Sequence, residues 1–226
     1  MNLNYIDDVR KEFADLLIDE NFVTDKSGSK VVEIINASFI ANEPYIFGKP
    51  NEDYIERELQ WYCSMSRNVH DIPGKTPPIW LQVADSEGRI NSNYGWCIYS
   101  EENGLQFENV VKTLIIDSDS RRAEMIYTRP SMHTDYRLGG MSDFMCTEAV
   151  QYFIRNGELH AIVKMRSNDA VFGYNNDYAW QRYVQNEVLN RLTKAGINVQ
   201  LGNLHWNAGS LHVYERHFKF IEEYLK

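Results

Sequence analysis

A chain of 226 residues that is 43% apolar and 13% aromatic carries enough core-forming side chains for one large domain, which excludes a disordered polymer. Lys plus Arg number 23 against 32 Asp plus Glu, a formal charge of -9, so the surface as a whole repels DNA and anionic membranes. Any anionic ligand must then meet a local cluster of cations.

The N-terminus has neither a basic start nor an apolar run, and no window is long and apolar enough to span a bilayer, so a soluble cytoplasmic protein is expected. Cys63, Cys97 and Cys146 stand far apart without a CxxC pair, which argues against a disulfide framework or a zinc site and suits a reducing compartment. Ile6, Val9, Phe13, Leu16 and Leu17 recur at helical spacing and predict an amphipathic helix over 5–20. The donor-rich turn at 25–30, in which Lys26 and Ser29 can face solvent or hold a phosphate, leads into a β-branched strand at 31–35.

Asn51 is placed to cap a helix with Glu52 and Asp53 in its first turn and Ile55, Leu59 and Tyr62 on one face. Glu58 falls near that apolar face, a position more usual for a rim residue than for a catalyst. A proline-rich segment at 72–78 leads to Ile79-Trp80, and Asn93-Tyr94-Gly95-Trp96 reads as a loop feeding an aromatic patch. Residues 107–116 are a helix candidate, 117–122 break it, and 123–128 are strand-like. In a strand Arg121 and Arg122 point to opposite faces, whereas a loop can aim both at one anion.

Two alternating runs, Val150, Tyr152, Ile154 and Leu159, Ala161, Val163, Met165, flank Asn156-Gly157 and predict a β-hairpin. Its outer ends would bring Cys146 and Arg166 together across 20 positions. The stretch 165–180 is the richest in chemistry: it leaves a strand, passes Arg166, Ser167 and Asn168, reaches Gly173 between aromatics, and sets Asp177 where a helix is expected to start. From Trp180 through Val184, Val188 and Leu192 the spacing is helical, with Arg182 and Glu187 outward; a last block at 204–214 precedes a terminal helix with Phe218, Ile221 and Tyr224. There is no repeat or linker, so one mixed domain over 1–226 is expected.

Eight motifs in order, Arg57-Glu58-Leu59-Gln60-Trp61, Ile79-Trp80, Tyr94-Gly95, Ser120-Arg121-Arg122, Met145-Cys146, Arg166-Ser167-Asn168-Asp169, Gly173 through Asp177, and His212-Val213-Tyr214, resemble those of the thymidylate synthase family. Within it the chain is most similar to the bacteriophage branch that hydroxymethylates deoxycytidylate. The resemblance runs from about Lys26 to the C-terminus. It implies an α+β fold with a large mixed sheet, helices on one face, and a homodimer packed back to back.

It also implies roles. Cys146 would add to carbon 6 of the pyrimidine, because only that addition makes carbon 5 electron-rich, and Arg166 would lower the thiol pKa. Carbon 5 would then take a one-carbon unit from 5,10-methylenetetrahydrofolate, a cofactor that carries the hard chemistry. Glu58 would be the acid-base residue and Tyr94 would lie beside the cysteine. Ile79, Trp80, Asp169 and Gly173 would meet the folate. Lys26, Arg166 and Ser167 would bind the 5'-phosphate together with Arg121 and Arg122 of the partner subunit, while Asn168 would line the substrate pocket and His212 and Tyr214 would bind the sugar hydroxyl. No metal, direct DNA contact or membrane is implied; association with other phage enzymes of deoxynucleotide synthesis is left open.

Two departures from the synthases set the expected reaction. Asp177 stands where they carry asparagine; an ionised carboxylate has no donor for O4 of uracil, but accepts from the amino group of cytosine and from N3 once it is protonated. The chain also stops at Lys226, soon after its last helix, without the apolar tail that seals the synthase site, so water is expected to capture the methylene intermediate and yield 5-hydroxymethyl-dCMP. Thr147 follows the cysteine where the synthases have histidine. The alternatives are a thymidylate synthase, a deoxyuridylate hydroxymethylase, or a catalytically silent nucleotide-binding subunit of a precursor-synthesis complex. If Asp177 reads the base, Asp177→Asn shifts the ratio of kcat/KM values for dUMP and dCMP towards dUMP by roughly 100-fold or more; steady-state assays with each nucleotide check this, and an unchanged ratio refutes it.

Overall fold

The computed structural model describes residues 4–25 and 28–226. The spacing near the N-terminus forms α1 (Ile6–Ile18), which buries Ile6, Val9 and Phe13. A two-residue strand, β1 (Val23–Thr24), pairs antiparallel with β2 (Lys30–Ile40). Asn51 caps α2 (Glu52–Ser64), its side chain accepting the Tyr54 amide at 3.1 Å. Short helices α3 (Pro78–Val83) and α4 (Tyr94–Tyr99) follow, then α5 (Gln106–Ile116), β3 (Glu124–Ile126) and α6 (Met132–Asp135). The chain finishes with β4 (Thr147–Arg155), β5 (Glu158–Asp169), α7 (Gly173–Lys194), β6 (Gln200–Tyr214) and α8 (Phe218–Tyr224).

Three readings change. Asn93 to Trp96 is not a loop: the Asn93 side chain accepts the Trp96 amide at 2.8 Å and caps α4. Asp177 is not at a helix start, since α7 already begins at Gly173 and carries Asp177 inside its second turn. Arg182 is not turned outward; it is half-buried, with Nη1 donating to Gln185 at 2.8 Å and to the Gly202 carbonyl at 3.4 Å.

Six strands form one sheet in the order β1-β2-β6-β5-β4-β3, antiparallel except for the parallel pair β5 and β6. The predicted hairpin is β4-β5, with Asn156 (φ 53°) and Gly157 (φ 78°) supplying the left-handed turn that matches strand twist. Helices cover one face, and the buried side chains of helices and sheet form one contiguous core. The other face is open in the single chain: Ile35 is 69% and Ile126 54% exposed there.

The alternation of buried residues slips by one at the same level of three adjacent strands, β2, β6 and β5, and in β4 beside it, opposite Lys164. Buried positions run Ile34 then Ala37 in β2, Ala208 then Leu211 in β6, Met165 then Asn168 in β5, and Thr147 then Val150 in β4. Asn36 takes φ 56° at the slip, and a Cβ on Gly209 would lie 2.8 Å from the Arg166 carbonyl oxygen. One extra residue per strand bends the sheet and exchanges faces beyond it. Arg166 is thereby exposed while Asn168, two residues on, is buried.

A second close approach fixes α4 on α2: a Cβ on Gly95 would stand 1.8 Å from the Tyr62 carbonyl oxygen. Backbone cannot yield as a flexible side chain can. Gly95→Ala is therefore expected to destabilise the fold by roughly 3 kcal/mol or more; chemical denaturation measures this, and a loss below about 1 kcal/mol contradicts the contact.

Candidate active site

The hairpin brings its outer ends together. The Arg166 amide donates to the Cys146 carbonyl at 2.8 Å, and its guanidinium reaches the Cys146 sulfur at 3.7 Å. The same guanidinium donates to the carbonyls of Met145 and Phe144 at 3.3 and 3.4 Å, clamping the segment that carries the thiol. Buried Asp143 ties that segment to the far side of the pocket, accepting the amides of Asn91 and Ser92 at 2.6 and 2.8 Å and the Ser92 hydroxyl at 2.6 Å. Cys146 and Arg166 are thus neighbours as the sequence predicts, but the thiol pKa moves the other way: burial pushes it up to about 11, the nearby Asp177 adds to the rise, and Arg166 only opposes it. Desolvation of the thiolate outweighs one solvent-exposed cation.

Asp177 approaches the thiol from α7. Asn168, at the end of β5 and 3% exposed, donates through Nδ2 to Asp177 Oδ2 at 2.7 Å, and the Tyr94 hydroxyl bonds both Asp177 and Thr147. Thr147 in turn donates to the Met165 sulfur at 3.3 Å, so it packs as part of the wall. Gly173 keeps strand and helix close, for a Cβ there would meet Asp169 Cβ at 3.3 Å and Asn168 Nδ2 at 3.5 Å. Asp177 as a residue is partly accessible, but its carboxyl sits in a protein-dense surround. Burial, reinforced by the charge of Glu58, pushes its pKa up to about 8 against the pull of its two donors. This shift favours the neutral form of a carboxyl that the sequence reading takes as ionised.

Glu58 lies on α2 at 5% exposure, in the wall rather than on a rim. Tyr54, one turn earlier, donates its hydroxyl to Oε1 at 2.5 Å, and the Trp80 indole reaches the same oxygen at 3.2 Å. Burial pushes this carboxyl up to about 7, again against its neutral donors. Rings connect the groups: Trp80 meets Trp61 edge-on at 5.2 Å, Trp61 stacks on Tyr62 at 5.3 Å, and Tyr62 stacks on Tyr94 at 5.1 Å. Tyr54 was missed from sequence, although its spacing of four from Glu58 on a helix was available.

Around this centre Asp169 accepts the amides of Val171 and Phe172 at 3.0 and 3.4 Å and pairs across the sheet with His212. His212 and Tyr214 contact edge-on at 4.9 Å, and Ser167 pairs with Ser210 two positions earlier on β6. Burial lowers the His212 pKa. Ile79 and Phe172, 59% and 50% exposed, offer apolar surface outside Trp80 and Gly173. Arg121 and Arg122 do not join the cluster: both are exposed in a loop before β3, where the Arg121 carbonyl accepts Gln151 Nε2 at 2.8 Å. Gln151 lies four residues up β4 from Thr147, about 13 Å along the strand. Lys26 lies outside the described residues. Among the described residues no group of His, Cys, Asp and Glu is arranged to hold a metal, and no helix is long and apolar enough to cross a membrane.

A mixed sheet with a thiol and a guanidinium at a hairpin mouth, and two carboxyls in an aromatic wall, defines a site for adding a nucleophile to a polar ring. The thymidylate synthase profile matches residues 51–226. The deoxycytidylate 5-hydroxymethyltransferase of Enterobacteria phage T4 is 52% identical over 98% of this chain and 91% of its own, and that of phage T2 is 52% identical over 97% and 90%. A thermostable thymidylate synthase A from Bacillus subtilis superposes with a TM-score of 0.71 over 95% of this chain and 82% of its own at 21% identity, a likeness of fold. The chain belongs to the thymidylate synthase family. Enzymes of that family bind a nucleotide, take a one-carbon unit from methylenetetrahydrofolate and are generally dimers.

The raised Asp177 pKa has a measurable consequence. Below about pH 4 the carboxyl is protonated folded and unfolded alike; as pH rises the unfolded chain releases its proton first, so this group lowers stability progressively up to about pH 8. In Asp177→Asn that loss disappears, and the melting temperature of the variant relative to the parent rises between about pH 5 and pH 9. Calorimetry across that range tests the sign; a difference that stays flat or falls contradicts the raised pKa.

Proposed function

We propose that the protein is a folate-dependent deoxycytidylate 5-hydroxymethyltransferase. The observation that carries the reading is the placing of a desolvated, proton-holding Asp177 beside the Cys146 thiol, and the two phage relatives support the same reaction class.

Cys146 adds to carbon 6 of dCMP as a thiolate, and the negative charge that would collect on the ring is met at N3 by the Asp177 proton. The resulting carboxylate accepts from N3 and the amino group, while Asn168 holds its second oxygen. When bound, 5,10-methylenetetrahydrofolate supplies a one-carbon unit at the formaldehyde level. Ile79, Trp80, Asp169 and Gly173 would hold it, and the exposed apolar faces of Ile79 and Phe172 fit a flat ring system. Glu58, with a pKa of about 7, can both accept and return protons near neutrality. It takes the carbon 5 proton through water, releases it to solvent, and so regains the ionised form that takes the proton of the water adding to the exocyclic methylene. The C6–S bond breaks last, restoring the aromatic ring and the Cys146 thiolate.

Arg166 and Ser167 bind the 5'-phosphate from within the chain, with Lys26 as the further cation expected from sequence. His212 and Tyr214 bind the sugar. Arg121 and Arg122 of the partner subunit complete the phosphate site in a homodimer joined across the open sheet face, to which Ile35 and Ile126 contribute apolar surface. Sharing of this kind makes complementation possible. Arg121→Ala/Arg122→Ala and Cys146→Ser homodimers should each be nearly inactive, whereas mixing them through denaturation and refolding restores up to about a quarter of parental activity. Failure to recover activity, with mixed dimers demonstrated by native mass spectrometry, rejects the donation.

Product analysis tests the reaction itself. Incubation with methylenetetrahydrofolate and dCMP should give 5-hydroxymethyl-dCMP without dihydrofolate, and Cys146→Ser should bind dCMP yet lose turnover by roughly 1,000-fold or more. Conversion of dUMP alone rejects the substrate, dihydrofolate formation rejects hydration, and absence of tritium release from carbon 5 of dCMP favours a silent binding subunit.

A further inference from the structure

Behind Glu58 a small cleft with room for about one water lies between α2 and α7. It is lined by Ile55, Leu59, Ala179 and Trp180 together with Tyr62 and two groups that can hold a water strongly, Glu58 from α2 and Asn176 from α7. Both strong donors to Glu58, Tyr54 and Trp80, are spent on Oε1. On α7, Asn176 stands one turn before Ala179 and Trp180 and lines the cleft with them.

A water occupies about 30 Å³ in the liquid and is held in a protein by two to four polar partners, whereas apolar cavities stay dry. A carboxylate oxygen and a primary amide are a sufficient pair. We propose that Asn176 is a positioning residue that, with Glu58, holds the water consumed in hydroxymethylation. This rests on the function proposed above and goes beyond it by naming the group that distinguishes hydration from other fates of the same intermediate. In the step, the water oxygen forms a bond to the exocyclic methylene carbon and its proton passes to Glu58. The C5=CH2 electron pair moves into the ring and then expels Cys146 from carbon 6, so that nothing is oxidised or reduced. Asn176 accepts the second water hydrogen, or donates to the oxygen, and leaves the chemistry to Glu58.

Asn176→Leu removes both polar atoms while keeping the branching and heavy-atom count of the side chain. With dCMP carrying tritium at carbon 5, tritium release reports formation of the methylene and 5-hydroxymethyl-dCMP reports its capture by water. In the variant, dCMP affinity by calorimetry and tritium release should remain near parental values. The yield of hydroxymethyl product per tritium released should fall by about tenfold, the scale of one lost hydrogen bond. With 2-mercaptoethanol present, the missing fraction should appear as the 5-thioether, because the thiol adds to the same carbon. Asn176→Ser, which keeps a small polar anchor, should recover much of the ratio. An unchanged ratio in Asn176→Leu overturns the proposal, and so does a parallel fall of tritium release and product, which would assign Asn176 to folate binding or packing. A parent protein that releases no tritium from dCMP would instead overturn the underlying reading of function.

Discussion

Two carboxyl groups, Glu58 and Asp177, are taken out of water with only neutral partners, and the local architecture serves that arrangement. Burying an ionised carboxylate without a cation costs several kcal/mol, so such a group keeps its proton. The nearest candidate on α2, Arg57, is committed to Asp53 and to the carbonyls of Pro73 and Lys75, and Arg166 is turned to the thiol segment. What remains are hydroxyl, indole and amide donors, Tyr54 and Trp80 for one acid and Asn168 and Tyr94 for the other. They fix geometry without forcing ionisation. An arginine in either place would hold the acid permanently charged and remove it from proton transfer near neutrality.

Such donors must be held rigidly, and two backbone devices do this. The aligned slip in β2, β6 and β5 turns Asn168 inward and Arg166 outward within one short run of β5, so one strand end serves both the acid and the thiol. Gly95 lets α4 lie directly on the backbone of α2, which puts Tyr94 against Tyr62 and beside Asp177. Neither device contributes a reacting atom. Both set distances that a chain of ordinary side chains on regular elements could not reach.

The parts of this arrangement legible in the sequence are those governed by local periodicity. Alternation about Asn156-Gly157 predicts the β4-β5 hairpin and with it the meeting of Cys146 and Arg166, and Asn51 predicts the start of α2. The slip was not legible, because one extra residue in a strand looks like ordinary variation until its neighbours are aligned beside it. The start of α7 was misplaced for a related reason: Gly173 and two asparagines depress helix propensity, and tertiary contacts of Tyr174, packed against Trp206 and Phe39 and donating its hydroxyl to the Glu43 carbonyl at 2.9 Å, hold that first turn. The charge states failed most clearly. Arg166 beside Cys146 suggests a depressed thiol pKa, but the sign is decided by how much solvent the thiolate would lose, which no spacing reveals.

The three raised pKa values are better understood together than singly. Ionised Asp177 pushes the Cys146 thiol further up, so the two negative charges oppose one another. If Asp177 meets N3 as proposed, that opposition becomes an ordering of events. A neutral Asp177 leaves the thiolate less disfavoured, and it surrenders its proton only as the thiolate charge is consumed in forming the C–S bond. At no stage does the pocket then carry both charges beside each other. Uracil, whose N3 already bears a proton, offers no such acceptor at that position, and the protonated acid could donate only to O4. On the proposed function, burial of Asp177 does more than tune one group: it couples addition of the nucleophile to a proton acceptor on the base.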